Sequence, residues 1–217
     1  MTRKYELNQR AQSKAETRQR IVEATVELHG SIGPAQTTIS SIAELAGVQR
    51  LTVYRHFPDD RSLFRACSGH WAVLHPRPDP TRWATLDDPC DRLRIALGEL
   101  YGYYRATETM SANVRRDLPQ LPALQETAAQ FAPYWDSVRA ALDSGWKVRG
   151  HRRKLVRASV GHAVEFETWK SLARAQSLSD TDAADVMVSL VFGLQASSRR
   201  DRGDKRPVAR TSMPRER

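Results

Sequence analysis

Residues 38–57, TISSIAELAGVQRLTVYRHF, constrain this chain more than any other stretch. Ile39, Ile42, Ala43 and Ala46 recur at three- and four-residue spacing, which gives a short helix one apolar face. Thr38 stands where an N-cap belongs, and Gly47 stands where a left-handed residue ends a helix. Val48 follows as an inward anchor, and a second helix begins near Gln49. Along it Val53 and Phe57 point one way, while Arg50, Leu51, Tyr54 and Arg55 point the other. A small residue at Ala43, a turn glycine at Gly47 and an apolar Val53 meet the demands of a helix-turn-helix. Its first helix approaches closely, the chain turns sharply, and the second helix stays pinned.

The outward face carries the chemistry of nucleic-acid recognition. Gln49, Arg50 and Leu51 lie at the start of the second helix, where base contacts concentrate in this motif. Arg50 can fork to guanine O6 and N7, and Leu51 can touch a thymine methyl. Thr37, Thr38, Thr52, Tyr54 and His56 bring hydroxyl or imidazole groups suited to phosphates, and Arg55 adds charge. The N-terminus of the helix after Thr38 adds its partial positive charge.

AGVQRLTVYRHF, followed by PDDRSLF, resembles the DNA-binding domain of TetR-type transcriptional regulators, which share a Y-x-H-F ending to the recognition helix. The upstream TRQRIVEATVEL and the Thr37–Thr38 pair match as well. The resemblance implies that Tyr54 and His56 contact phosphate. It also implies dimerisation through the last two helices as a four-helix bundle, and GHAVEFETW, residues 161–169, resembles a recurrent stretch in bacterial members. One departure stands out. The family has a Lys early in the next helix where this chain has Asp60, and Arg61 is the available substitute.

The net charge of +9 is unevenly spread. Lys and Arg stand against Asp and Glu as 10 to 7 in residues 1–70, 16 to 15 in 71–196, and 8 to 3 in 197–217. A nucleic-acid-facing head, a nearly neutral body and a basic tail follow from that pattern. Cys67 and Cys90 are the only cysteines and form neither a disulfide framework nor a CxxC site, so Cys67 is expected to pack as a small apolar residue. The polar start MTRKYELNQR is unlike a signal peptide, and no run approaches the ~20 apolar residues of a membrane span. A cytoplasmic location is expected.

Hydrophobic spacing predicts an all-α fold. The resemblance implies an N-terminal three-helix helix-turn-helix domain and a larger C-terminal helical domain for effector binding and dimerisation. Residues 1–12 read as a flexible basic arm and 13–75 as the DNA-binding domain with its connecting helix. Residues 76–88, with Pro76, Pro78 and Pro80 alternating, read as a linker. Residues 89–196 read as the effector-binding and dimerisation domain, and 197–217 as a disordered basic tail. Ser13 and Glu16 form a candidate capping box for the first helix. Leu124, Ala128, Phe131, Trp135, Val138 and Leu142 predict one long helix kinked at Pro133.

The aromatics of the body predict an effector pocket carrying Tyr101, Tyr104, Phe131, Trp135, Phe166 and Trp169, with Asn113 or His162 orienting the ligand. Ala158, Val186, Leu190, Val191 and Leu194 are the expected dimer interface. His162 beside Glu165 has no nucleophile, glycine-rich loop or metal motif near it, so no enzyme activity, cofactor or metal is expected. The expected function is a sequence-specific DNA-binding transcriptional regulator, a ligand-released repressor acting as a homodimer on a palindromic operator. Its expected partners are double-stranded DNA, a small apolar or aromatic effector and a second copy of itself. The alternative is a nucleoid-associated or architectural DNA-binding protein without an effector.

Overall fold

A computed structural model describes residues 2–196, so the basic tail expected at 197–217 lies outside the described residues. Those residues form twelve α-helices and no strand, an all-α fold. None of these helices is long and apolar enough to cross a membrane.

The first helix, α1, runs Thr2–Ser31, so the segment expected as a flexible arm is helical from Thr2 onward. No Pro or Gly interrupts residues 2–29, and Lys, Glu, Gln, Arg and Ala dominate there, all strong helix formers. Amide side chains one turn apart add support, with Gln12 donating to Glu16 at 3.0 Å and Gln19 to Glu23 at 2.8 Å. Ser13 is therefore interior rather than a cap, and its carbonyl accepts the Thr17 hydroxyl at 2.9 Å.

The helix-turn-helix comprises α2, Ile39–Leu45, and α3, Arg50–His56. Thr38 caps α2 by accepting from the Ser41 N–H at 3.1 Å, and Ser41 returns the bond as an acceptor for the Thr38 N–H at 3.0 Å. Gly47 adopts φ +64° between the two helices. Its N–H reaches the Glu44 carbonyl while the Val48 N–H reaches Ala43, a Schellman stop that sets the turn. Ile21, Val22, Ile42, Ala43, Val53 and Phe57 form the head's core. Asp59 then caps α4, Asp60–Leu74, through the Ser62 N–H at 2.7 Å.

Further helices are α5, Pro80–Trp83, inside the expected linker, then α6, Pro89–Ala106, α7, Glu108–Asp117, and α8, Pro122–Ala129. Next come α9, Ala132–Asp143, α10, Gly150–Ala163, α11, Phe166–Lys170, a π-helical turn at Ser171–Ala175, and α12, Asp180–Ala196. The long kinked helix expected around Pro133 is two helices. Proline lacks an N–H and so sits readily in the first turn of α9, where none is needed.

The described residues divide into two compact units, one within 2–82 and 99–141 and one within 83–98 and 142–196. This differs from the boundary expected at 76–88, because α7 packs on α1 and α8 packs on α4. Helices expected in a separate body thus complete the core of the head. In the second unit α10 packs on α12, and Phe166, Trp169, Ala183 and Val191 are fully buried. The N-terminus of α12 is capped by Ser179, whose hydroxyl accepts the Asp182 N–H at 3.1 Å.

Candidate nucleic-acid interface and effector cavity

The outward face of α3 is open to solvent. Leu51 is 72% exposed and Tyr54 46%, large apolar surfaces left open on a helix whose Val53 is fully buried. Gln49, Arg50 and Arg55 are exposed, and Thr52 is half-buried with its hydroxyl 3.4 Å from the Arg55 guanidinium. Thr38 is occupied as a cap, and the Thr37 hydroxyl donates to the Gly33 carbonyl at 2.8 Å. His56 is held below its ordinary pKa by partial burial first, then by the positive charges of Lys14, Arg55 and Arg18. Lys14 and Arg18 come from α1 and broaden the positive face, a contribution the sequence reading missed. Arg61, the expected substitute for the family lysine, pairs with Glu126 at 2.7 Å, though both side chains stay half-exposed. A pair that open to water contributes little and leaves Arg61 able to exchange partners.

The first unit holds a cavity of about 270 Å³. Val26 and His29 line it from α1, Phe64, Cys67 and Trp71 from α4, and Met110, Ser111 and Val114 from α7. Three expected effector residues, Tyr104, Phe131 and Trp135, complete the wall. The other five lie elsewhere. Tyr101 is fully buried beside the cavity-lining Tyr104, and Asn113 makes the backbone contacts described below. His162, Phe166 and Trp169 belong to the second unit. There His162 is exposed, Phe166 and Trp169 are core, and the Trp169 indole donates to Asp180 at 2.8 Å.

His29 stacks on Phe64 at 5.3 Å between centroids, with Nδ1 3.8 Å from the Cys67 sulfur. Burial lowers the His29 pKa to about 4, against the pull of Asp117, so the ring is neutral at pH 7. Burial likewise pushes the Cys67 thiol up to about 12, which makes it an unreactive packing group. His29 falls one turn after Thr25 on the inward stripe, and that spacing is the signal that could have found it.

The same helix α7 grips the head's backbone. Asn113 donates to the His29 carbonyl at 3.1 Å and the Gly30 carbonyl at 2.9 Å, satisfying acceptors that the end of α1 leaves open. Arg116 donates to the Ile32 carbonyl at 2.9 Å and forks onto Asp117. Asp117 in turn accepts the Ala35 N–H at 3.0 Å.

Residues 21–67 match the family model described as bacterial regulatory proteins, tetR family. The match lies within the head, which resembles the DNA-binding head of TetR-type regulators. No curated protein matches the chain in sequence. Among solved structures it is similar to NalD, the secondary repressor of the MexAB-OprM multidrug efflux pump in Pseudomonas aeruginosa. That likeness is 18% identity and TM-score 0.54 over 84% of this chain and 96% of the other. AibR in complex with isovaleryl coenzyme A and operator DNA matches at 19% identity and TM-score 0.58, over 81% and 98%. A TetR-like transcriptional regulator from a Rhodococcus species matches at 19% and 0.57, over 83% and 96%. At these identities the likeness is one of fold.

The dimer residues expected from sequence separate into two groups. Leu190 is 59% exposed and Val186 38%, and Ala158 is exposed too, whereas Val191 is fully buried within its own unit. Leu194 is half-buried. Leu155 and Phe192, not singled out from sequence, extend the open apolar surface of α10 and α12.

Proposed function

We propose that this protein is a TetR-type repressor that binds a palindromic operator as a homodimer and leaves it when a small molecule fills the cavity of its first unit. One observation carries the reading. The one helix α7 both lines the cavity, through Met110, Ser111 and Val114, and clamps the head backbone, through Asn113, Arg116 and Asp117. A ligand touching the first set biases the position of the second, and so of the segment leading into α2. His29 and Val26 place the same ligand directly against α1. The switch is a population shift, because the ligand favours a head conformer that fits DNA less well.

The exposed leucine, valine and phenylalanine side chains of α10 and α12 support the homodimer, since a second copy would cover them. Two copies present two recognition helices, which a two-fold operator requires. Arg50 and Leu51 read bases in this arrangement, while Tyr54, His56 and the threonines hold phosphate. The ligand complex of AibR is in keeping with a small-molecule switch on this fold.

The test is a coupled titration. Trp71 and Trp135 line the cavity, so a ligand that enters it changes tryptophan fluorescence. Such a ligand should weaken operator binding, and operator DNA should weaken the ligand by the same factor. A ligand that quenches fluorescence while operator affinity stays unchanged would overturn the switch.

A further inference from the structure

Resting on the reading of this cavity as the effector site, we propose that its ligand is a carboxylate with an aliphatic or aryl body, bound with the carboxylate on Arg77. The wall is mostly apolar. Val26, Phe64, Met110, Val114, Leu124 and Trp135 are apolar or aromatic, Ser68, Ser111, Thr127, Tyr103 and Tyr104 add hydroxyls, and the one imidazole, His29, is neutral. Such walls favour a hydrocarbon body. Arg77 and Arg115 also line the cavity and are charges of another kind, and Arg115 is already engaged within the chain.

The Arg77 guanidinium lies 4.0 Å from the centroid of Phe131 and 5.7 Å from that of Tyr134. The rings hold it in position without using its N–H groups, which find no carboxylate partner among the described residues. An arginine held over aromatics keeps the planar fork that takes a carboxylate by two parallel hydrogen bonds. The Tyr134 hydroxyl, on the second of these rings, is buried without a hydrogen-bond partner among the described residues. Burial holds that phenol up at about 12, so it stays protonated and can donate.

Size narrows the class. A space of about 270 Å³ sits near the lower end of ligand sites and holds about nine atoms at ~30 Å³ each. A straight-chain acid of octanoate length, or an aryl-propanoate, fills it with the carboxylate at Arg77.

The experiment titrates the full chain with octanoate and with 1-octanol, following tryptophan fluorescence and confirming by calorimetry, with operator release measured in parallel. Octanoate should bind at least tenfold tighter than octanol. In R77Q octanoate should weaken at least tenfold, to the level of the alcohol, and in R77K it should recover part of the difference. Thermal unfolding of each variant checks that the fold is kept. Equal binding of acid and alcohol by the unaltered chain, or no binding of the acid, would overturn the ligand class. So would an equal loss of both ligands in R77Q. Acid-selective binding that leaves operator affinity unchanged would keep the ligand class and overturn the switch. Release by neutral amphiphiles alone would do the reverse.

Discussion

The Asp117 carboxylate accepts a hydrogen bond from the Ala35 N–H at 3.0 Å, tying the last turn of α7 to the segment that leads into the reading head. Gly33 makes this approach possible. It sits at φ +96°, and a Cβ there would overlap both the Arg116 guanidinium and the Asp117 carboxylate. G33A should cost at least about 1–3 kcal/mol from backbone strain alone, read as a lower midpoint in chemical denaturation. D117A keeps the backbone and removes only the acceptor, so it should weaken DNA binding with a smaller loss of stability. If D117A left operator affinity at the level of the unaltered chain, the clamp would be structural and not a route from cavity to head.

Most of the reading head was legible in the sequence because its signals are local. Thr38, Gly47 and Val53 each act within a few residues, as a cap, a turn and an anchor. The clamp was not legible. Asn113 reads as a candidate ligand-orienting amide, and only the packing of α7 on α1 reveals that it serves the His29 and Gly30 carbonyls across more than eighty positions. The cavity was half-legible for the same reason. Tyr104, Phe131 and Trp135 belong to it, but their expected companions Phe166 and Trp169 carry the core of the other unit. Aromatic side chains announce burial, and burial alone does not say which core they fill. The helix that breaks before Pro133 shows a further limit, since apolar spacing continues across a join between two helices.

Arg50 and Tyr54 should separate base reading from phosphate grip. R50A should cost about 1–3 kcal/mol on the specific site and relax base choice at one position. Y54F should weaken specific and random duplexes alike, because a phosphate contact carries no base information. Competition binding against random DNA distinguishes the two patterns.

His29 predicts a pH window for stability. Its pKa is about 4 in the fold against 6.5 unperturbed, so between these values the unfolded chain binds the extra proton. The contribution is fully present above about pH 6.5 and is lost as pH falls toward 4, amounting to about 3 kcal/mol over the window. His56, also lowered, acts in the same direction but is far less buried. Asp117, held below its ordinary range first by Arg116, loses its contribution only at lower pH. Denaturation from pH 7 to pH 4 should therefore show a shallower slope in H29L than in the unaltered chain.

Leu190 should matter to assembly and Val191 to folding. L190D places a charge on an exposed apolar face and should yield a folded monomer by light scattering, with weakened operator binding. V191D buries a charge in the unit's own core and should unfold it. A dimer that survives L190D would move the interface away from this face of α12.

Selection of duplexes from a random library by the full chain tests the account most directly. The predicted result is a two-fold symmetric motif whose half-sites lie one helical turn, about 34–36 Å, or a multiple of it apart, as paired recognition helices demand. R50A should blur one position of each half-site. Enrichment of no motif, with binding that follows salt concentration and not sequence, would contradict it and mark an architectural DNA-binding protein.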